Sequence, residues 1–232
     1  MKGCVNVETR RIKNVVFDLG RVLIDWQPYE YMIKKFGKET AEFLERVIFN
    51  SKEWNLMDKG IINEHELWNL FIYKHPEYKI PIEHLKENVT NLLIEIKDNT
   101  KLLEPLKAMG YKLYVLSNFS EMNFAYVYRK YDFFKKFDGM VISSHVKQIK
   151  PDKEIFEILI ERYNIIPQES LFVDDRLENI QTAEILGFEF IHLTDHTKLR
   201  EELERKLNIK FDEHNLTGEQ YETTAKCSKQ SI

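Results

Sequence analysis

Five short apolar runs constrain this 232-residue sequence more than any other feature: Asn14–Asp18 (NVVFD), Lys112–Ser117 (KLYVLS), Gly139–Ser143 (GMVIS), Leu171–Asp174 (LFVD) and Phe188–His192 (FEFIH). They cluster apolar residues without strict alternation, as strands do when both faces of a parallel sheet are covered. The spacing between the last four leaves room for one helix each. In Lys153–Tyr163, for example, Ile155, Phe156, Leu159 and Tyr163 recur at helical spacing after a Pro-Asp start signal. Alternating strands and helices predict an α/β fold with a doubly wound, mostly parallel sheet.

The first connection breaks the rhythm. Roughly ninety residues separate the first run from the second, where a crossover needs about a dozen. Residues 27–99 therefore read as an inserted helical cap, with helices expected at Tyr29–Phe36, Lys38–Phe49, Asn63–Tyr73 and Ile82–Ile96 from apolar residues three or four apart. The core is assigned to residues 1–26 and 100–210, and residues 211–232 to a polar tail expected to fray. Trp54, Met57, Trp68 and Phe71 are expected to form a small core within the cap. Tyr126, Tyr128, Tyr131, Phe133 and Phe134 are expected to pack around a helix end.

Charge narrows the class of partner. Lys and Arg total 34 against 38 Asp and Glu, a net charge of −4, which gives no global attraction for nucleic acid or an anionic membrane. No run of about 18 apolar residues exists to span a bilayer, and nothing near the start resembles a signal peptide. Cys4 and Cys227 belong to no CxxC or Cys/His cluster, so a reducing cytoplasm is the expected compartment. A small anionic metabolite bound by a monomer or homodimer is the partner that remains. His192 and His196 are four apart, but they straddle a strand end and a loop, which argues against a zinc site.

Four polar pieces fall at or near the carboxyl ends of the expected strands, the edge where open α/β sheets bind ligands. They are Asp18, the pair Ser117-Asn118, Lys150-Pro151, and Asp174-Asp175 with Asn179 in the following helix. Singly, each has an ordinary reading: a strand-end carboxylate, a turn and helix cap, a solvated turn. Together and in this order they point to chemistry. Three converging carboxylates repel one another unless a cation joins them, and hard oxygen ligands favour Mg2+. An ionised aspartate is also a competent nucleophile towards phosphorus. In that scheme Ser117 and Lys150 would hold the oxygens that do not react.

This pattern resembles the haloacid dehalogenase superfamily, whose four motifs are matched by Asp18-Leu19-Gly20-Arg21-Val22-Leu23, Ser117-Asn118, Lys150-Pro151 and Asp174-Asp175 with Asn179. The resemblance spans about residues 14–192 and is closest to the sugar-phosphatase-like branch that includes bacterial glucose-1-phosphate phosphatases. It implies a Rossmann-like core with a cap inserted after the first motif. It further implies Asp18 as nucleophile, with catalytic help from Lys150, and phosphate contacts from Ser117, Asn118 and Lys150. Mg2+ would be held by Asp18, the Gly20 carbonyl and the acidic pair, Asp175 directly and Asp174 indirectly.

One departure matters. Such phosphatases usually carry a second aspartate two residues after the nucleophile, as general acid and base, and here that position is Gly20. Its usual contribution, about 10²–10⁴-fold, must come from elsewhere or be absent. Asp25 is either a substitute or a cap-hinge residue, and Arg21 either reaches a substrate anion or lies at the entrance. The expected function is a Mg2+-dependent phosphatase of a small phosphomonoester such as a sugar phosphate, working through an aspartyl-phosphate. A metal-independent 2-haloacid dehalogenase and a weakly catalytic phospho-ligand binding module are the alternatives.

Overall fold

The computed structural model describes residues 12–212, so Cys4, Cys227 and almost all of the expected polar tail lie outside the described residues. The central sheet contains β1 (Asn14–Phe17), β4 (Lys112–Ser117), β5 (Gly139–Ile142), β6 (Ser170–Asp174) and β7 (Glu189–His192) in the spatial order β5-β4-β1-β6-β7, every neighbouring pair parallel. The two remaining strands, β2 (Ile24–Asp25) and β3 (Ile94–Glu95), form a separate antiparallel ribbon.

Burial on both faces explains the unbroken apolar runs. Val15, Phe17, Leu113, Val115, Leu171 and Val173 point into one apolar layer, while Val16, Tyr114, Leu116 and Phe172 point into the other. Full burial of a Phe or Leu side chain contributes about 1.5–3 kcal/mol. Phe172 meets Phe156 and Phe188 edge-on at 5.3 and 6.4 Å, which joins the sheet to its covering helices. Phe133 and Phe134 stack at 4.3 Å and are buried, the packing role expected of them.

The helical insertion leaves the core through β2 and returns through β3. It comprises α1 (Pro28–Phe36), α2 (Lys38–Leu44), α3 (Lys52–Asp58), α4 (Glu64–Lys74) and α5 (Lys79–Asn88). Its own core holds Met57, Trp68 and Phe71, with Trp54 at its edge. Gly37, at φ +86°, makes the turn between α1 and α2.

Two expected helices are interrupted. Lys38–Phe49 divides into α2 and a π-helical turn, Glu45–Phe49. Ile82–Ile96 does not run through as one helix: α5 stops at Asn88, a 3-10 turn covers Val89–Leu92, and Ile94–Glu95 is extended. Pairing with β2 overrides helical spacing there, and Ile96 N–H donates to Leu23 O at 2.9 Å. Helix α3 had no counterpart among the expected elements; Ser51 starts it by accepting Trp54 N–H at 3.1 Å.

The core helices are α6 (Lys97–Thr100), α7 (Leu103–Ala108), α8 (Glu121–Lys130), α9 (Ser143–Val146), α10 (Lys153–Tyr163), α11 (Leu177–Ile185) and α12 (Leu199–Leu207). Among the described residues no helix is long and apolar enough to cross a membrane.

Candidate active site

Parallel register brings the strand ends together. Phe17 lies level with Val115 and Val173, so the next residue of β1, Asp18, emerges between the ends of β4 and β6. Its N–H donates to Val173 O at 2.9 Å, which fixes its backbone as a continuation of the strand. The chain then turns sharply: Leu19 O accepts Leu23 N–H at 2.9 Å and Ile24 N–H at 2.8 Å, and Arg21 adopts a left-handed φ of 56°. Leu19, Val22 and Leu23 are buried beneath this turn, leaving Gly20 and Arg21 facing outward.

Lys150 reaches the same point from the turn before α10. Its ammonium is buried, 2.8 Å from Asp18 Oδ1 and 2.6 Å from Asp174 Oδ2. Burial by itself would lower its pKa; the two carboxylates outweigh burial and hold it above the ordinary lysine value. Asn118 orders this lysine's backbone, accepting Lys150 N–H at 2.8 Å and donating to Lys150 O at 2.9 Å. Both ends of the Asn118 carboxamide are thus occupied. Ser117, at the end of β4, is buried, and its Oγ has no hydrogen-bond partner among the described residues.

Asp174 is fully enclosed. Besides Lys150 it accepts Arg176 N–H at 2.8 Å and Asn179 Nδ2 at 2.9 and 3.0 Å. Burial pushes its carboxyl up against the pull of Lys150. Asp175 is more open, with Arg21 Nε 3.4 Å away. Burial, then the charges of Asp18 and Asp174, push its pKa up to about 7. His192 donates a ring N–H to Asp175 O at 3.0 Å rather than joining His196 in a metal site.

Each of Asp18, Asp174 and Asp175 offers an oxygen, and these oxygens lie within 4.8 Å of one another. Such mutual repulsion at a solvent-reachable edge suits a hard divalent cation, and the all-oxygen donor set is the type Mg2+ takes. Asp18, Gly20, Asn118, Lys150 and Asp175 line a cavity of about 550 Å³ between sheet edge and cap. Its other walls include Trp26, Tyr29, Glu45, Asn50, Trp54 and Asp58. Asp25 sits on β2 and accepts Gln27 Nε2 at 2.6 Å, a hinge position.

Asp58 is the residue that reading the sequence missed. It ends α3 and borders the cavity with Gly20. Burial, reinforced by Glu64, raises its pKa to about 7. The Ser51 cap could have revealed its helix, though not where that helix would lie.

A family model described as haloacid dehalogenase-like hydrolase matches residues 15–193. The chain is 27% identical to a sesquiterpene phosphatase of Aspergillus oryzae over 79% of its own length and 90% of that protein. It is 28% identical to a phosphorylated carbohydrates phosphatase of Thermotoga maritima, covering 79% of this chain and 85% of that one. A HAD family enzyme of Bacteroides thetaiotaomicron, solved with magnesium and inorganic phosphate, superposes with a TM-score of 0.61 at 26% identity, covering 78% and 93% of the two chains. The matched segment runs from the strand that presents Asp18 through the one that follows Asp175, and the chain belongs to the haloacid dehalogenase-like hydrolases.

Proposed function

We propose that this hydrolase is a Mg2+-dependent phosphatase that cleaves a small sugar phosphate through an aspartyl-phosphate on Asp18. The observation that carries this reading is the single cluster in which Asp18 and Asp174 share the Lys150 ammonium, at 2.8 and 2.6 Å, with Asp175 beside them. Among the described residues Lys150 is the one ammonium paired with the nucleophile, placed to hold a phosphate oxygen as well, and its raised pKa keeps it charged.

Asp18 attacks phosphorus in line with the departing oxygen, while Lys150 and the Ser117 hydroxyl hold the oxygens that stay. Ser117 Oγ has a free donor for this role. Asp18, Asp175 and the Gly20 carbonyl are the groups suited to hold Mg2+, which supplies charge neutralisation between carboxylate and phosphate. Asp174 serves indirectly, since Lys150, Asn179 and the Arg176 N–H occupy its oxygens. Asn118 acts by positioning Lys150, and the cap excludes water from the reacting centre. Displacement at carbon without a metal would leave three carboxylates facing the single Lys150 ammonium.

The cavity favours a polyhydroxylated substrate over an isoprenoid one. Its cap side offers Glu30, Glu45, Asn50 and Asn55 beside Trp26, Tyr29 and Trp54, a mixture of hydrogen-bonding groups and flat rings. Glu45 Oε2 is buried with no partner among the described residues and belongs to the π-helical turn. A sugar hydroxyl would satisfy it.

The test is phosphate release from a panel of sugar, polyol and isoprenoid monophosphates, with Mg2+ and with EDTA. The expected result is metal-dependent release, highest on sugar phosphates and abolished by Asp18→Asn. Full activity in EDTA or in Asp18→Asn would overturn the mechanism; preference for isoprenoid phosphates would overturn the substrate class.

A further inference from the structure

We infer that Asp58, carried into the site by the cap, is the general acid that protonates the leaving oxygen and the base that then activates water; the inference rests on the phosphatase reading above.

An alkoxide leaves phosphorus poorly, so cleavage of a sugar phosphate at an unactivated hydroxyl needs a proton donor near the departing oxygen. Few groups around the cavity can supply one. Lys150 is committed to Asp18 and Asp174, Asp175 belongs to the cation-binding set, and Arg21 and Arg176 do not deprotonate. Glu45 neighbours Glu30 within the cap.

Asp58 is placed differently. A smaller cavity of about 80 Å³ lies beside the large one, lined by Gly20, Trp54, Asp58, Asn118 and other neighbours. Asp58 is the one acidic residue that borders both. Gly20 also borders both, and a side chain built there would meet nothing within 4 Å. Position 20 therefore carries no functional group of its own, and Asp58, on the cap side, lines the same two cavities.

Asp58 is also fixed. Its main-chain carbonyl accepts Ser143 Oγ at 2.6 Å, and the same Oγ accepts Phe119 N–H at 2.8 Å, so a buried serine of the core ties the end of α3 to the strand-end loop after Asn118. Two more contacts close the same edge: Lys147 Nζ donates to Gly60 O at 2.6 Å, and Met122 N–H donates to Glu64 Oε1 at 2.9 Å. The carboxyl is hydrogen-bonded by Trp54 and faced by Glu64 of α4, Asp18 of the β1 end and Arg176 of the β6–α11 loop. Burial and the two acids outweigh Arg176, so the group holds its proton near neutral pH, the state a donor requires.

In the first step the Asp18 oxygen bonds to phosphorus, the bond from phosphorus to the ester oxygen breaks, and that oxygen takes the Asp58 proton to leave as an alcohol. In the second, Asp58 carboxylate removes a proton from water as the water oxygen bonds to phosphorus. The acyl-phosphate bond breaks, Asp18 is restored as carboxylate, and inorganic phosphate leaves with Asp58 protonated again.

Asp58→Asn, with Mg2+, is to be compared with the unsubstituted protein on two esters. On an alkyl ester such as a hexose 6-phosphate, kcat/KM should fall about 10²–10⁴-fold. On nitrophenyl phosphate, whose leaving group needs no proton, the variant should release a rapid burst of one nitrophenolate per site and then turn over slowly. The burst also counts folded sites. An unchanged rate on the alkyl ester, or loss of the burst together with all turnover, overturns the role of Asp58. If the unsubstituted protein hydrolyses neither ester, nor any other monophosphate, the phosphatase reading itself falls.

Discussion

The side-chain amide of Asn118 and the main chain of Lys150 form a reciprocal pair: Asn118 accepts Lys150 N–H at 2.8 Å and returns a donor to Lys150 O at 2.9 Å. One carboxamide thereby fixes the residue whose ammonium bridges Asp18 and Asp174. A segment 32 positions away along the chain is locked to the end of β4. Thr182 Oγ1 holds the other side of that turn by donating to Pro151 O at 2.8 Å.

Asn118→Ala should therefore weaken catalysis and stability together. The Lys150 N–H and C=O lose their partners, at a cost of about 1–3 kcal/mol each where water cannot replace them. Urea unfolding should show the loss, and kcat should fall more than KM rises, because the lysine is misplaced rather than removed.

Lys150→Met should be more damaging. It leaves Asp18 and Asp174 as neighbouring buried carboxylates with no cation between them, and breaking a buried pair costs about 3–5 kcal/mol. Phosphate release should fall to background, and the unfolding midpoint should drop. Near-normal stability would mean that water reaches the pair freely.

Glu45→Gln tests the cap side of the cavity. The carboxylate oxygen without a partner is expected to accept a substrate hydroxyl. Replacing a charged acceptor by a neutral one should raise KM for sugar phosphates about 10-fold with little change in kcat. The KM for nitrophenyl phosphate, which carries no such hydroxyl, should stay as it was.

Asp58 carries a pH signature in stability as well. Its carboxyl is raised from 3.8 to about 7 in the folded protein, so between those values the folded state binds the proton that the unfolded state releases. The contribution to stability is full below about 4 and is lost as pH rises through about 7. Asp58→Asn should match the unsubstituted protein near pH 4 and exceed it above pH 7 by roughly 1–3 kcal/mol, after allowance for solvent screening of a partly exposed group. Chemical denaturation across that range measures the crossover. A catalytic carboxyl held at a cost to stability is a common trade.

The residue pattern alone located the five-stranded sheet and the groups at its edge. Strands covered on both faces are apolar along their buried length, so where the apolar runs 15–17, 113–116 and 171–173 give way to Asp18, Ser117 and Asp174, the chain marks the carboxyl ends of its strands. The length of the first connection pointed to an insertion, and apolar spacing to α1, α4 and part of α5, but not to α3. Boundaries fared less well where pairing decided them: Ile94–Glu95 carries helical spacing yet is extended because β2 lies beside it.

Tertiary structure alone decided which side chains meet. Local sequence says nothing about Lys150 pointing between two carboxylates or Asn118 bonding the Lys150 main chain from the end of β4, because both depend on segments that are neighbours only in the folded sheet. Asp58 is the extreme case. It lies forty residues beyond Asp18, at the end of an unanticipated helix, and Ser143, bonding its main-chain carbonyl, ties it to the core beside the cavities that Gly20 also lines. Strand and helix periods report local geometry; the meeting of cap and core is a long-range contact between surfaces, and no local spacing encodes it.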